Sequence, residues 1–452
     1  MLYSFLKVVF RITMRLFFRA YTVKGKENIP SAGPVIFLAN HPSTFMDPIV
    51  VAASINRKVF FLAKAEVFKG KFAQWLLPRF NMIPVYRAQD DPTQMHKNKE
   101  TFKKCFEHLA KGGCILIFPE GISLTERKLK KIKTGAARIA LGAEAENDFK
   151  LGVKIISVGL NYSDPHTFQS NLFVNVDEPI SVRDYKEQYE KDAFASASAL
   201  TEEIRERLEK QVVAIEDEKL DRLVKDIEHI YKSKIMMERG FLFRHQDEDF
   251  MVTKDISERV HYFAQHQPER LERFRNAVEE YKEQLAQLGI NDLSVRSLDK
   301  QRGLFARTFG AMLYFITGFP LFLFGTINNY IPYKLPLRIA RKLSSEPQYH
   351  GALMMVAGTV LFAVLWLLQL WLVHHFTHSW PLSLLYLALL PLSGLFAFYY
   401  WRYFTNIRGR WKILRLFFSQ SGLAAALIAQ RQAIVEELER SRKEYKEQVA
   451  NV

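Results

Sequence analysis

A histidine and an aspartate near the start of the chain have a spacing suited to proton transfer. His41 and Asp47 follow the apolar run 35–39, a pattern typical of a buried parallel strand. Ligands of open α/β sheets bind at the carboxyl ends of such strands, so His41 lies where chemistry is usually done. Helical geometry would put the two side chains on different faces, and we expect them to meet across a turn that Pro48 favours. An imidazole held by a carboxylate can take a proton from an alcohol, so the pair predicts a general base that works without a serine nucleophile.

The same two residues also allow a purely structural interpretation. In that alternative, Asp47 caps the helix that begins at Pro48, and His41 is an ordinary histidine at a strand end. The neighbouring sequence favours chemistry, because further charged residues stand at the ends of other predicted strands. Lys64 ends the predicted strand 59–64, Arg87 ends the predicted strand 82–87, and Glu120 follows the predicted strand 114–118. A further strand is predicted at 153–162.

The order of these elements also predicts the fold. Helical segments separate the strands, which is the pattern of an α/β domain with a mixed sheet flanked by helices. Such a sheet would collect a base, a cation and an acid at one edge.

Four motifs make this part of the chain resemble the glycerophospholipid acyltransferases. They are the His-Asp pair at 41 and 47, Ile-Pro-Val-Tyr-Arg-Ala-Gln-Asp at 83–90, Phe-Pro-Glu-Gly at 118–121, and Lys-Thr-Gly-Ala-Ala at 133–137. The resemblance covers residues 25–180 and extends more weakly through the charged region to residue 300.

Two departures from the common family pattern narrow this resemblance. Five residues separate His41 from Asp47, where the common pattern has four, and Ile122-Ser123-Leu124 stands where Thr-Arg-Ser often follows. Both departures, like the motifs at 83–90 and 133–137, are similar to the fungal glycerol-3-phosphate and dihydroxyacetone-phosphate acyltransferases. Because Ile122-Ser123-Leu124 lacks the arginine of Thr-Arg-Ser, it stays open which cation of this chain replaces that arginine.

The resemblance implies a role for each motif. His41, oriented by Asp47, would deprotonate a glycerol hydroxyl, Arg87 would bind the acceptor phosphate, and residues 118–121 would position the acceptor. The acyl donor would be a thioester of coenzyme A or of acyl carrier protein, with no cofactor and no metal. The predicted substrate-binding residues are Lys64, Arg87, Phe118, Pro119, Glu120, Gly121, Ser123 and Lys133.

The cations of this set suit a phosphate-bearing acceptor on physical grounds. The planar guanidinium of Arg87 can bind phosphate with two parallel hydrogen bonds. The basic run 127–133 is either a solvated or membrane-facing surface or, at Lys133, part of the pocket. Lys64 is placed to reach the same pocket. For Glu120 the alternative is an exposed carboxylate at a strand end.

Composition points to a membrane enzyme in a reducing compartment. The chain has 452 residues, which suggests two or three domains, and a formal charge of +15, which calls for an anionic partner. Basic residues flank apolar segments, and the sequence shows no zinc-ligand set or nucleic-acid module, so we expect membrane lipids rather than nucleic acid. The two cysteines, Cys105 and Cys114, indicate a cytoplasmic setting.

The amino-terminal residues 2–21 predict an amphipathic helix. Lys7, Arg11, Arg15 and Arg19 recur every four residues among apolar ones, which makes one basic stripe. Secretory signal peptides carry their charges before the apolar stretch, whereas here the charges run through it, so we do not expect this segment to be cleaved as a signal peptide. The predicted orientation has the basic stripe toward lipid headgroups.

The carboxyl-terminal third contains three uncharged apolar runs, at 308–333, 351–373 and 380–401. Basic residues lie in 334–342 and 402–415, whereas the loop 374–379 has no Lys or Arg. The last two runs therefore predict a transmembrane hairpin with both ends cytoplasmic. The first run has basic residues on both sides, and Pro320 beside Gly318 permits a break, so we expect a re-entrant or kinked insertion there.

The predicted organisation is an interface helix at 1–24, a catalytic domain at 25–212, a charged helical region at 213–301, a membrane domain at 302–418 and a cytoplasmic helical tail at 419–452. With the resemblance, it predicts a membrane-bound acyltransferase of phosphatidic acid and phospholipid biosynthesis, with the catalytic domain on the cytoplasmic face. The expected acceptor is glycerol 3-phosphate or dihydroxyacetone phosphate, with 1-acylglycerol 3-phosphate as the alternative. A catalytically silent membrane scaffold is the alternative from another class. The intact His41, Asp47, Arg87 and Glu120 argue against it.

Overall fold

The computed structural model describes residues 2–123, 127–215, 217–238, 246–292, 295–296, 304–419 and 421–450. The chain divides into two units. The first comprises Met1–Glu216, His245–Phe250 and Ala340–Met355, and the second comprises Asp217–Arg244, Met251–Ile339 and Val356–Val452.

An eight-stranded mixed sheet forms the centre of the first unit, in the order β1-β7-β6-β2-β5-β3-β4, with the short β8 beside β6. The strands are β1 Ala20–Lys24, β2 Val35–Ala39, β3 Val59–Lys64, β4 Met82–Val85, β5 Cys114–Ile117, β6 Lys154–Tyr162, β7 Asn171–Val176 and β8 Ile180–Ser181. From β6 through β2, β5 and β3 to β4 all neighbours are parallel, whereas β7 and β8 run antiparallel to β6. The predicted α/β class with a mixed sheet is confirmed.

Helices cover both faces of this sheet. They are α1 Leu2–Phe17, α2 Met46–Ser54, α3 Lys71–Leu76, α4 Asn98–Ala110, α5 Gly135–Ala145, α6 Lys186–Lys191 and α7 Ala193–Gln211. Strand β2 is buried along its whole length. Alternate side chains point to opposite faces, so Val35 and Phe37 pack with α1 and α2, while Ile36 and Leu38 pack with α4, α5 and α7.

Strands β1, β7 and β8 were not predicted, and the predicted strand 82–87 is shorter in the structure. Strand β1 begins where we expected the amino-terminal helix to continue to residue 21, and it pairs with β7 in parallel. Strand β4 ends at Val85, two residues before Arg87, because the Asn98 side chain binds the backbone N–H and C=O of Tyr86 at 2.9 and 2.6 Å. The predicted boundary at residue 25 also divides the core, since Met14 and Phe18 of the amino-terminal segment are buried in it.

The predicted orientation of the amino-terminal helix is wrong. The guanidinium of Arg11 donates to the carbonyls of Ala53 and Ile55 at 2.8 and 3.2 Å, and Lys7 donates to the carbonyl of Arg57 at 2.8 Å. These carbonyls lie at and just beyond the carboxyl end of α2, where a helix leaves acceptors unpaired and favours cations. Lys7 and Arg11 therefore bind protein, whereas Arg15 is exposed. The large apolar side chains exposed on α1 are Phe5, Val8, Ile12 and Leu16.

The second unit combines charged helices with long apolar ones. The charged helices are α8 Glu218–Glu238, α9 Gln246–His266 and α10 Pro268–Leu288, and the long ones that follow are α11 Leu304–Leu343, α12 Pro347–Thr377, α13 Trp380–Ser419 and α14 Ser421–Ala450. Helix α14 packs on α10, with Arg270 donating to Glu437 at 2.7 Å. Three stretches are long and apolar enough to cross a membrane: Gly310–Leu343, Pro347–Thr377 and Trp380–Thr405.

Helix α11 packs along α13. The hydroxyl of Tyr400 donates to the carbonyl of Phe315 at 2.8 Å, and the hydroxyl of Tyr386 donates to the side chain of Asn328 at 2.6 Å. The rings of Tyr333 and Phe398 lie 6.1 Å apart.

Helix α11 continues through both Pro320 and Pro332. Proline has no N–H, so Pro332 leaves the carbonyl of Asn328 without its helical partner. The amide of Gln369 on α12 donates to that carbonyl at 3.0 Å. Neighbouring helices thus satisfy the freed backbone group, as an apolar environment requires. Whether residues 308–333 cross a membrane stays a prediction.

Candidate active site

His41 and Asp47 meet as predicted from their spacing. The Nδ1 atom of His41 lies 2.8 Å from Oδ2 of Asp47, whose side chain is fully buried. An ionised carboxylate accepts, so Nδ1 carries the hydrogen, and Nε2 is the nitrogen left for a substrate. The arrangement is that of a general base oriented by an acid.

Asp47 does not cap α2. The helix begins at Met46, and the Asp47 carboxylate turns back to accept from the backbone N–H of Ser43 at 2.7 Å. Its second oxygen accepts from the hydroxyl of Tyr162 at 2.8 Å. Every oxygen of this buried carboxylate is therefore paired, and His41 is held by an acid that is itself fixed.

Tyr162 was missed by the sequence reasoning. Burial, with the adjacent Asp47 charge, raises the pKa of Tyr162 well above its ordinary value, so the phenol remains a hydrogen-bond donor. Tyr162 ends β6, the parallel neighbour of the strand that leads to His41. The predicted strand 153–162 carried this signal, because parallel neighbours end at the same edge of the sheet.

The segment that follows β5 supports His41 from a second side. The ring of Phe118 stacks on the imidazole with ring centroids 3.9 Å apart and planes 14° apart. The backbone N–H of His41 donates to one oxygen of Glu120 at 3.0 Å, and the backbone N–H of Lys130 donates to the other at 3.0 Å. Pro119 accepts the backbone N–H of Lys133 at 3.0 Å.

These contacts change the interpretation of Glu120. Its side chain is 6 % exposed, so it is not a carboxylate on the protein surface. Burial raises the pKa of Glu120, and the two backbone N–H groups that bind the charged form act in the opposite direction. With both oxygens bound to backbone, Glu120 positions the loop around His41.

Arg87 pairs with a carboxylate that the sequence reasoning missed. The guanidinium of Arg87 donates to both oxygens of Asp90, at 2.6 and 2.7 Å, and also to the carbonyl of Gly121. Hydrogen bonding by Arg87 lowers the pKa of Asp90, and the charges of Lys64 and Lys133 act in the same direction. The ammonium of Lys64 pairs with Glu66 at 3.3 Å.

Lys133 lies close to residue 121 because that residue is a glycine. Gly121 has φ +71°, and a Cβ there would lie 2.7 Å from the Lys133 ammonium. The ammonium donates to the side chain of Gln89 at 2.8 Å. The Ser123 hydroxyl is turned toward the loop between His41 and Asp47, where it accepts the N–H of Thr44 at 2.8 Å.

The cysteines are unsuited to covalent catalysis. Cys105 and Cys114 are both free and buried. Burial raises the pKa of Cys105 to about 12, which keeps the thiol protonated.

The region that contains this site is similar to known acyltransferases. Residues 20–161 match the family model described as Acyltransferase. Glycerol-3-phosphate O-acyltransferase 1 of Saccharomyces cerevisiae is 28 % identical over 250 residues, which are 37 % of this chain and 33 % of that protein. A chloroplast 1-acyl-sn-glycerol-3-phosphate acyltransferase of Arabidopsis thaliana is 28 % identical over 144 residues, 32 % of this chain and 36 % of the relative. These alignments span about a third of the length of each relative.

A solved structure is also similar in part. The crystal structure of the 1-acyl-sn-glycerophosphate acyltransferase of Thermotoga maritima has 21 % sequence identity and a TM-score of 0.32, and the match covers 44 % of this chain and 78 % of that one. The matched family model spans the strands that lead to His41 and Arg87, and this region of the chain is similar to acyltransferases of glycerol phosphates.

Proposed function

We propose that the protein transfers a fatty acyl group from an acyl thioester to a hydroxyl of glycerol 3-phosphate or dihydroxyacetone phosphate. One observation carries this proposal: residues 118–121 contact the base at one end and Arg87 at the other. Phe118 stacks on His41, and the carbonyl of Gly121 accepts from Arg87. A small acceptor with a hydroxyl near its phosphate would bridge these two ends.

The chemistry needs one proton shuttle and no covalent enzyme intermediate. His41 Nε2 takes the hydroxyl proton as the acceptor oxygen forms a bond to the thioester carbonyl carbon. The tetrahedral intermediate then collapses, the carbon–sulfur bond breaks, and the thiolate leaves with the proton returned by the imidazolium. Asp47 stabilises the imidazolium during this cycle and stays ionised.

Arg87 and its lysine neighbours would bind the acceptor phosphate. A phosphate arriving at the Arg87 fork must share it with Asp90 or displace that carboxylate, because both oxygens of Asp90 occupy the fork. The exchange keeps the guanidinium paired with an anion throughout.

A second acceptor, 1-acylglycerol 3-phosphate, is favoured by a separate observation. Relatives named for that substrate match the same part of the chain, including the Arabidopsis protein and one from Pseudomonas aeruginosa that is 29 % identical over 123 residues. Both acceptors carry a phosphate for Arg87 and a free hydroxyl for His41.

An assay on purified membranes separates these acceptors. Each acceptor is offered with acyl-coenzyme A and with acyl carrier protein thioesters, and the His41→Ala variant is the control for background activity. We expect acyl transfer to at least one phosphorylated glycerol acceptor that disappears in the variant. Equal transfer by both proteins, or none with any pair of substrates, would contradict the proposal.

We further propose that the protein is a membrane protein with its catalytic domain on the cytoplasmic face. Three apolar helices support membrane insertion. The loop between α11 and α12 belongs to the unit that contains His41, which supports a location of Ser344 on the same side of the membrane as His41. Ser379, in the loop between α12 and α13, would lie on the opposite side, which agrees with the absence of Lys and Arg from that loop.

Single cysteines at these two positions test this topology. A membrane-impermeant thiol reagent applied to intact cells should label Ser379→Cys and spare Ser344→Cys. The native Cys105 and Cys114 are buried and provide the unlabelled background. Labelling of Ser344→Cys from outside would overturn the cytoplasmic placement of the catalytic domain.

A further inference from the structure

The short connection between two apolar helices is built into the core of the catalytic unit. Residues 340–355 comprise the end of α11, the loop and the beginning of α12, and they belong to the first unit. Ala352 and Met355 are 1 % and 2 % exposed and pack in the core cluster that contains Met46, the residue before Asp47. A mere linker between membrane helices would not need to bury side chains there.

This connection also contacts the loop between the catalytic residues. The hydroxyl of Thr44 donates to the backbone carbonyl of Gln348 at 3.1 Å, and the ring of Phe45 lies 5.5 Å from the ring of Tyr349. Thr44 has φ +30°, in the region that β-branched residues seldom adopt. Such a conformation persists only where neighbouring contacts impose it, and the bond to Gln348 is one of those contacts.

A third contact reaches the other partner of Asp47. The Cα of Gly351 lies so close to the backbone of Pro165 that a Cβ at this position would overlap the Pro165 carbonyl oxygen. Pro165 belongs to the loop that follows Tyr162, which donates to Asp47. The first turn of α12 therefore requires a glycine to approach this loop.

We propose that residues 344–352 are a positioning element of the active site, which holds the His41–Asp47 loop in its reactive conformation. The proposal rests on the proposed function, because its effect is measured as acyl transfer. It predicts that the rate depends on how this segment docks, although none of its residues touches a reacting atom.

Two substitutions should weaken the packing of residues 344–352 against the catalytic unit, one in the loop between His41 and Asp47 and one in the segment itself. Thr44→Val removes the hydroxyl and keeps the shape, whereas Gly351→Ala pushes the segment away from Pro165. Thr44→Val should lower kcat by about three- to tenfold, the effect of losing one hydrogen bond of this kind. Gly351→Ala should lower kcat by a similar factor through its clash with Pro165, and KM for donor and acceptor should be unchanged in both variants. Thr44→Ser retains the hydroxyl and should keep most of the rate. Gly358→Ala is the matched control on the same helix, since a Cβ there would meet the Pro336 ring at an ordinary 3.7 Å.

The combined variant shows whether the two changes act through one contact. If both release the same segment, Thr44→Val with Gly351→Ala should lose no more rate than the worse single variant. Multiplied losses, an unchanged kcat in either single variant, or an equal loss in Gly358→Ala would overturn the positioning role.

A crosslinking measurement tests the docking without an activity assay. Phe45→Cys with Tyr349→Cys, treated in membranes with a short bifunctional maleimide, should give a crosslinked peptide detectable by mass spectrometry. Each single-cysteine variant is a control, and adding Gly351→Ala should reduce the yield where adding Gly358→Ala does not. Absence of the crosslink in the inserted protein would overturn the docking. A crosslink in a protein that acylates no acceptor would instead support the docking and overturn the proposed function.

Discussion

The two ends of the proposed active site, the proposed base His41 with Asp47 and the proposed phosphate-binding Arg87 with Asp90, differ in how their charged side chains are held. At the base end, Asp47 is fully buried, and His41, Ser43 and Tyr162 together bind both of its oxygens. At the phosphate end, the side chains of Arg87 and Asp90 are 20 % and 19 % exposed, and they pair within one short loop. The base is thus fixed by several elements of the fold before any substrate arrives. Arg87 is held by one carboxylate that an incoming anion can replace.

This difference indicates what each end contributes to catalysis. A base must be oriented for proton transfer, and small misplacements cost rate, so rigid support is an advantage there. A binding site must release as well as bind, and a partly exposed ion pair is worth little enough to be exchanged. Substitutions at the two ends should therefore separate into effects on kcat and effects on KM.

The largest effect is expected from removing the base. His41→Ala should lower kcat by about 100- to 10,000-fold, the range typical of a positioned proton-transfer group. Its KM for the acceptor should change little, because Arg87 is untouched. Steady-state kinetics on solubilised membranes would measure both constants. A rate close to that of the unmodified protein would end the assignment of His41 as base.

Glu120→Gln should give the next largest loss. The carboxylate accepts from the backbone N–H groups of His41 and Lys130, and an amide can accept only one of them while pointing its own donor at the other. Leaving a buried N–H unpaired costs about 1–3 kcal/mol, so both stability and kcat should fall. Thermal unfolding and kinetics check this together. A selective rise in acceptor KM would show that Glu120 binds substrate directly.

Arg87→Lys should affect binding more than turnover. A lysine keeps the charge but cannot reproduce the two parallel hydrogen bonds of the guanidinium. Losing such a charge-assisted contact should raise KM for phosphorylated acceptors by about tenfold. An unchanged KM would place the phosphate elsewhere, with Lys64 and Lys133 as the next candidates.

Asp90→Asn should have the smallest effect, and it should lower the acceptor KM where Arg87→Lys raises it. Removing the competing carboxylate frees Arg87 for phosphate, so the acceptor KM should fall by up to about fivefold, in keeping with a partly exposed ion pair. The rate at saturating acceptor should not change. An increase in KM would show that Asp90 orients Arg87 and is not displaced from it.

The sequence predicted which residues come together at the ends of the strands, because a strand end can be recognised from the local pattern of apolar residues. His41, Arg87, Phe118 and Glu120 each follow an apolar run, and parallel strands deliver such residues to one edge. The hydrogen bonds of Tyr162 and the counter-ion Asp90 escaped prediction, since nothing in a local pattern says which polar group will pair with which. The same limit explains the error at α1: the carbonyls that bind Arg11 lie more than forty residues away in the sequence.

The membrane region shows the same division between local and distant information. Length and hydropathy located the apolar helices near 351–373 and 380–401, which lie within α12 and α13. The hydrogen bonds of Asn328 depend on Gln369 and Tyr386 from two other helices. The docking of residues 340–355 on the catalytic core likewise depends on contacts that only the folded chain creates.

Replacement of Asp47 by asparagine tests the central claim most directly. Asparagine preserves the size of the side chain, but it removes the charge that stabilises a protonated His41 and presents an amide to one of its three partners. The expected result is loss of most kcat for acyl transfer, with acceptor KM nearly unchanged and the protein still folded in the membrane. A variant that turned over at the normal rate and lost only thermal stability would show that Asp47 is a structural residue and that the His41–Asp47 pair is not the base.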